Sequence, residues 1–405
     1  MPSKKVFLFL QGPPCLLWPR LADALRAAGH STRRINLHCG DWLFWPRAGA
    51  DHYRGRFSRW PAWLDAYLVR HGVTDILYYA DRLPYHIEAL ARAKARGIHT
   101  HAIEYGYLRP DWLTIEPEAM GRFSTFPRNP DAIRDLAAGH PEPDMTPRYG
   151  HGFWEESWRE VTYDLLLVFG RGLYPFYRSD KYYWPVAEYL AWLVRLGVRA
   201  ATSRRDEALV DRALAGALDG GFRYNLVALQ LQMDYQIRAS SDYTHIEEML
   251  DEILASFAAH APESRHLIIK THPLDNGLEN WPRRLRRLTR RHRVEGRVHL
   301  VDSRRLAELN QNSMGAIMAN STVGLHALGD GIPVICLGDA VYDIAGLTHQ
   351  RGLDSFWTDP DQVDLALAAD LRRALAAHIQ VRGDFFNPEG QRIAIEALTE
   401  KLLAP

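Results

Sequence analysis

The chain has no apolar stretch approaching the ~18 residues that a membrane-crossing helix needs. Cysteine is scarce: Cys15, Cys39 and Cys336 stand far apart with no Cys-x-x-Cys spacing, which argues against a disulfide framework and against a structural zinc site. A reducing compartment fits this usage. Charge of either sign is not in excess, since 49 basic and 49 acidic side chains cancel. No global field therefore holds a nucleic acid, and any anion must be bound by a local site. No Gly-x-Gly-x-x-Gly follows a strand, and neither a P-loop nor an HExxH motif is present. Dinucleotide redox chemistry and P-loop hydrolysis are thereby demoted. Charge neutralisation by protein groups, without a metal or other cofactor, is the expectation.

What the sequence does hold is a core. With 47% hydrophobic residues, 12 Trp and 18 Tyr, disorder is excluded, and 405 residues at ~150 per domain suggest two domains. Val6–Leu10 follows Lys4-Lys5 but is too short for a signal peptide and lacks a cleavage site, so it reads as a buried first strand. Trp18, Leu21, Ala22 and Leu25 then recur at helical spacing up to Gly29. Strands at "STRRINLH", "DILYYA" and "IHTHAIEYG", separated by helical segments, predict a parallel α/β sheet. Residues 121–205 interrupt the rhythm with Pro, Arg and aromatics. It restarts after Gly220-Gly221 with "YNLVALQ", "HLIIKTHP", "MGAIMANS" and "IPVICLG" as strands. The expected architecture is two Rossmann-like domains facing a central cleft. Their bounds are 1–215 with a helical insertion and 216–380, followed by a C-terminal helix at 381–405 packing back on the first.

In open α/β sheets ligands bind at the carboxyl ends of strands. Lys270-Thr271-His272-Pro273 is such an end, because Pro273 stops the strand and keeps His272 extended. Ser321 and Thr322 follow "GAIMAN" and offer hydroxyls to an anion. A third strand end leads into "LGDAVYDIAG", which carries Tyr342. Each also has an ordinary structural use, as a cap or a satisfied polar residue. Together they favour a nucleotide-phosphate site. Asp234 lies just after the strand that ends at Gln230, among Gln232, Gln236 and Arg238, where amide donors keep a carboxylate ionised as a nucleophile or oxocarbenium stabiliser. Glu104 ends another strand beside Tyr105-Gly106-Tyr107, an environment suited to a general acid or base, unless it merely pairs with Arg109. Two carboxylates with a nucleotide site beside one suit glycosyl transfer. Seven arginines in "WPRRLRRLTRRHR" form either a solvated helix face or a contact with anionic lipid. The aromatic run "YPFYRSDKYYWPVAEYLAWLVR" reads as interfacial anchoring or as core.

The stretches "FLQGPP", "LADALRAAGH", "RINLHCGDWLFW", "EYGYLRPDWLTIEP", "LQLQMDYQIR", "KTHP", "NSTVGLHAL" and "GDAVYDIAGLTHQRGLDSFW" resemble the bacterial capsule polysaccharide biosynthesis proteins of the KpsS type, relatives of the KpsC modules. The resemblance runs from residue 8 to 357 and implies a GT-B glycosyltransferase that transfers Kdo from CMP-Kdo with retention. It implies a phosphatidylglycerol-type membrane lipid as acceptor, contact with other capsule assembly proteins, and a cytoplasmic location at the inner membrane. It places Lys270, His272, Pro273, Ser321, Thr322 and Gln230 on the nucleotide, Asp234 as nucleophile and Glu104 as acid/base, with His272 assisting. Gln11, Tyr107, Arg109, Gln236 and Tyr342 are then expected on acceptor or sugar. The single catalytic unit favours the initiating role over the extending one. Transfer of another CMP-nonulosonate such as sialic acid, and a non-catalytic assembly or export factor, remain open alternatives.

Overall fold

The computed structural model describes residues 4–150, 152–216 and 220–404. They fall into two compact units: one holds the chain up to Thr125, Pro143–Lys181 and Leu375 onward, the other Phe126–Glu142 and Tyr182–Ala374. The strands in chain order are β1 Val6–Phe9, β2 Ser31–Asn36, β3 Ala50–His52, β4 Asp75–Tyr79, β5 His99–Tyr105, β6 Trp112–Pro117, β7 Arg223–Ala228, β8 Arg265–Lys270, β9 Val298–Val301, β10 Ala316–Met318, β11 Val334–Cys336 and β12 Gln380–Arg382.

The first unit is built on a seven-stranded sheet, ordered β12-β6-β5-β4-β1-β2-β3. Strands β1 to β5 are parallel, and β6 runs antiparallel to both β5 and β12. Side chains of a strand alternate between faces. Phe7 and Phe9 of β1 therefore meet Leu17, Trp18, Leu21 and Leu25 of the helix Leu17–Ala27, while Leu8 meets Leu64 and Leu68 of the helix Trp60–His71. Each such buried side chain contributes about 1.5–3 kcal/mol. The first helix stops where Gly29 takes up φ 91°, a conformation glycine reaches without steric cost.

The second unit has an all-parallel sheet, β11-β10-β7-β8-β9. One face packs Val227, Ile269 and Ile317 on the helix Ile246–His260. The other packs Leu226, Ile268 and Val301 on Val210 and Ala213 of the long helix Pro185–Ala215. Numbered within its own unit, each parallel sheet runs 3-2-1-4-5, the doubly wound order.

Three boundaries differ from those expected. The helix Pro185–Ala215 belongs to the second unit, because Val210 and Ala213 bury against that sheet. Phe126–Glu142 joins the second unit as well. The first unit recovers the chain already at Leu375, where β12 pairs with β6 and Ala394, Leu398 and Leu402 cover the helix Leu17–Ala27. Residues 217–219, just past the expected boundary at 215/216, lie outside the described residues. Among the described residues no helix is long and apolar enough to cross a membrane. The arginine-rich helix Trp281–His292 buries Trp281, Leu285 and Leu288 and turns part of its charge inward. Arg284 and Arg287 bond Glu247, and Arg291 and His292 bond Asp251, both on the helix Ile246–His260.

Candidate functional site

In a 3-2-1-4-5 sheet the connections leave the first strand in opposite directions, and a crevice opens at the carboxyl ends of its two innermost strands. In the second unit these are β7 and β10. Gln230 stands two residues beyond β7 and Asn320 two residues beyond β10, and the pair closes the crevice floor. Gln230 Nε2 donates to Asn320 Oδ1 at 2.9 Å, and the Asn320 amide donates back to Gln230 Oε1 at 3.3 Å. Asn320 Nδ2 also donates to the carbonyls of Gln236 (2.7 Å) and Ser240 (3.0 Å). A buried amide network this fully bonded is rigid. Gln236 links it to Asp234, whose Oδ1 accepts the Gln236 amide at 2.9 Å and caps the short helix Tyr235–Arg238.

Ser321 and Thr322 follow at once, both half-buried. Ser321 Oγ accepts the Val323 amide at 3.3 Å, and Thr322 makes no side-chain cap bond to the helix Val323–Gly329. The loop is held from behind by Tyr342, whose hydroxyl donates to the Ser321 carbonyl. That ring fits because residue 324 is glycine: a Cβ there would lie 2.4 Å from Tyr342 Oη. Tyr342 is fully buried, and burial raises its phenol well above the usual value. The Tyr342 hydroxyl thus holds the loop in position from inside the protein.

Lys270 ends β8 with 3% of its surface exposed. Its Nζ donates to the Thr271 carbonyl at 3.1 Å, one use of three available donors. Burial lowers its pKa, and Asp302 partly offsets that by favouring the charged form. His272 Nδ1 accepts the Leu274 amide at 3.1 Å, so in the neutral ring Nε2 carries the proton. The Pro273 carbonyl accepts from Arg199 Nη1 at 3.0 Å. Arg199 and Arg195 both bond Asp302, which directly follows β9, at 2.6 and 2.7 Å. The helix Pro185–Ala215 thus braces the strand end that carries Lys270 and His272. These braces have no place among the sequence-read site residues, and Asn320 stands there only as the start of the Asn320-Ser321-Thr322 strand end, not as a hub. The available signal was arginine at i and i+4 on a helix.

In the first unit the crevice lies between β1 and β4, and Gln11 occupies the position two residues beyond β1. Gln11 is buried and donates to the hydroxyls of Tyr177 (3.1 Å) and Tyr163 (3.4 Å). Tyr163 donates to Asp41 at 3.0 Å, and Asp41 pairs with buried Arg34 at 3.2 Å. Burial pushes the Asp41 carboxyl up, but His38, Arg34, the Leu37 amide and the Tyr163 hydroxyl outweigh it and hold the group below its usual value. Arg34, Asp41 and Tyr163 line a small recess with Gly12, Pro13 and Trp18.

Glu104 is half-buried near the end of β5, beside the Tyr79 phenol, which burial and Glu104 together raise well above its usual value. Arg109 is exposed, donates to the Gly106 carbonyl at 3.2 Å and sits 5.3 Å from the Tyr105 ring centroid. Tyr107 donates to buried Glu116 at 2.8 Å and accepts the Gly121 amide at 3.1 Å. Both bonds use the hydroxyl to shape the loop around it.

The site residues therefore group by unit. Gln230, Asp234, Gln236, Lys270, His272, Pro273, Ser321 and Thr322 share adjacent strand ends in the second, and Gln11 and Glu104 occupy separate strand ends in the first. A buried ammonium beside hydroxyl and imidazole donors suits a phosphate.

Residues 74–386 match the family described as "Capsule polysaccharide biosynthesis protein". The capsule polysaccharide export protein KpsS of Escherichia coli is 31% identical over 390 residues, covering 95% of this chain and 97% of that one. The capsule polysaccharide modification protein LipB of Neisseria meningitidis is 30% identical over 393 residues, 95% and 92% of the two chains. Among solved structures, the KpsC β-Kdo 2,7 transferase of Thermosulfurimonas dismutans aligns over 98% of this chain and 99% of its own, at 15% identity and a TM-score of 0.45.

Proposed function

The chain belongs to the capsule polysaccharide biosynthesis family, and on that premise we propose that it is a retaining β-Kdo transferase that uses CMP-Kdo and a phosphatidylglycerol-type lipid acceptor at the inner membrane. The observation that carries this reading is the buried Lys270 ammonium at the β8 end, next to the Gln230–Asn320 crevice. An ammonium held out of water costs stability unless an anion compensates it, and the CMP phosphate is such an anion. Lys270, His272, Ser321 and Thr322 neutralise that phosphate as it leaves, which favours cleavage of the bond to the anomeric carbon. Asp234 attacks that carbon from the opposite side to form a covalent glycosyl intermediate. Glu104 then takes the proton of the acceptor hydroxyl as it displaces the aspartate.

Asp234→Asn tests the nucleophile without disturbing the fold, because asparagine caps a helix as well as aspartate does. Lipid-linked Kdo and released CMP are measured from CMP-Kdo and a fluorescent phosphatidylglycerol analogue. Wild type forms both, and the variant loses both while still binding CMP. Normal transfer by the variant removes the nucleophile role. The relative named as an export protein favours one other reading, a non-catalytic assembly factor, which predicts no CMP release by the wild type.

A further inference from the structure

The helix Pro185–Ala215 has two unlike faces. At ~100° per residue, Glu188, Arg195, Arg199, Asp206 and Val210 share one side. That side grips the second unit: Arg195 and Arg199 hold Asp302, Glu188 accepts from Asn276 at 3.1 Å, and Val210 is in the core. The opposite sector of about 120° carries Leu190, Leu193, Val194 and Gly197, then Arg204 and Arg205. Leu190, Leu193 and Val194 are 60%, 61% and 69% exposed, and a Cβ on Gly197 would meet nothing within 4 Å. Leu274 and Leu278, on the loop that follows His272 and that the inner face braces, are exposed as well. From Tyr189 to Arg205 the sequence contains arginine and no acidic residue.

We infer that this outward stripe is a docking surface for an anionic lipid bilayer. The helix is not apolar enough to cross a membrane, so it lies along the surface with leucine and valine in the acyl boundary. Exposed Tyr182 and Trp184 sit at its start, where amphipathic rings favour the headgroup level, and Arg204 and Arg205 at the other end meet anionic headgroups. The stripe spans roughly 22 Å from Leu190 to Arg205 and carries one sign of charge, which fits a lipid surface. On this inference the arginine helix Trp281–His292, whose Arg284, Arg287 and Arg291 pair with Glu247 and Asp251, is not the contact. The inference rests on the proposed lipid acceptor, for which docking would bring the loop after His272 to the bilayer.

Flotation of the full chain with phosphatidylcholine vesicles, with and without phosphatidylglycerol, tests the surface. Wild type binds and prefers the anionic vesicles. Leu193→Glu with Val194→Glu weakens binding at least about tenfold, Arg204→Gln with Arg205→Gln removes the preference for anionic lipid, and Arg283→Gln with Arg286→Gln changes nothing. Undiminished binding by the leucine–valine variant overturns the inference, as does a wild type that ignores both vesicles, which would point to a protein partner. Turnover with a detergent-dispersed short-chain acceptor separates the two readings. It persists in the leucine–valine variant if the transferase reading holds, and its absence in a wild type that still binds vesicles defeats that reading alone.

Discussion

The two units share a strand order and place a glutamine at the same point, two residues past the first strand, yet spend it differently. In the second unit Gln230 locks to Asn320, and the nearby cation, Lys270, is left with one carbonyl. In the first, Gln11 sits among tyrosines, and the nearby cation, Arg34, is neutralised by Asp41. One crevice holds a cation that Asp302 offsets only in part, and the other has neutralised its cation internally. The fold positions polar groups alike in both, and the charge balance decides which can take an anion.

Removing each cation is the sharpest way to break the comparison. Arg34→Met leaves Asp41 buried and unpaired, and a loss of about 3–5 kcal/mol is expected by denaturant unfolding; adding Asp41→Leu should recover much of it. Lys270→Ala should leave stability little changed but lower kcat/KM for the donor by about 10²–10³-fold in steady-state assays. If Lys270→Ala destabilised the fold and left turnover intact, the two crevices would not differ as described.

Acid provides a third contrast. His86 in the first unit donates from Nδ1 to the Ala80 carbonyl at 2.9 Å, and its Nε2 is buried without a partner among the described residues. Burial lowers its pKa to about 4. The folded state refuses a proton that the unfolded chain accepts near 6.5, so this contribution is full above that value and is lost as pH falls toward 4, reaching about 3 kcal/mol. His86→Asn should flatten the acid limb of a stability–pH profile. The smallest effect is expected from Tyr342→Phe. It removes one bond to the Ser321 carbonyl, costs about 1 kcal/mol in stability and raises the donor KM more than it lowers kcat.

Much of the frame was legible because β1, β4, β7, β8, β10 and β11 hold short apolar runs bounded by turn residues. Strands β3 and β12 are as short as β10 and β11 but polar, Ala-Asp-His and Gln-Val-Arg, and so lack an apolar run to mark them. β9 alternates with a histidine, and β6, Trp-Leu-Thr-Ile-Glu-Pro, ends in a proline so soon after Arg109-Pro110 that no strand stood out there. The Lys270–Pro273 end was legible because proline marks the strand terminus chemically. The internal hydroxyl partners of Tyr107 and Tyr342 were not, since a tyrosine after a strand has the same local sequence whichever partner its hydroxyl finds. The Arg34–Asp41 pair was hidden for a related reason: charged residues read as surface until the tertiary fold buries them.

The return of the chain at Leu375 has a consequence in time. Residues 182–374 complete the second unit before β12 and the helix Pro388–Leu403 reach the first. At ~5–20 residues per second of synthesis, the first sheet waits on the order of ten seconds or longer with β6 unpaired on one side and Trp18 and Leu21 uncovered. An open strand edge beside bare apolar surface is the form of a nascent protein most prone to pair with its neighbours. The protein's need for chaperones should therefore centre on its earliest-made half, which stays unfinished until the final segment emerges.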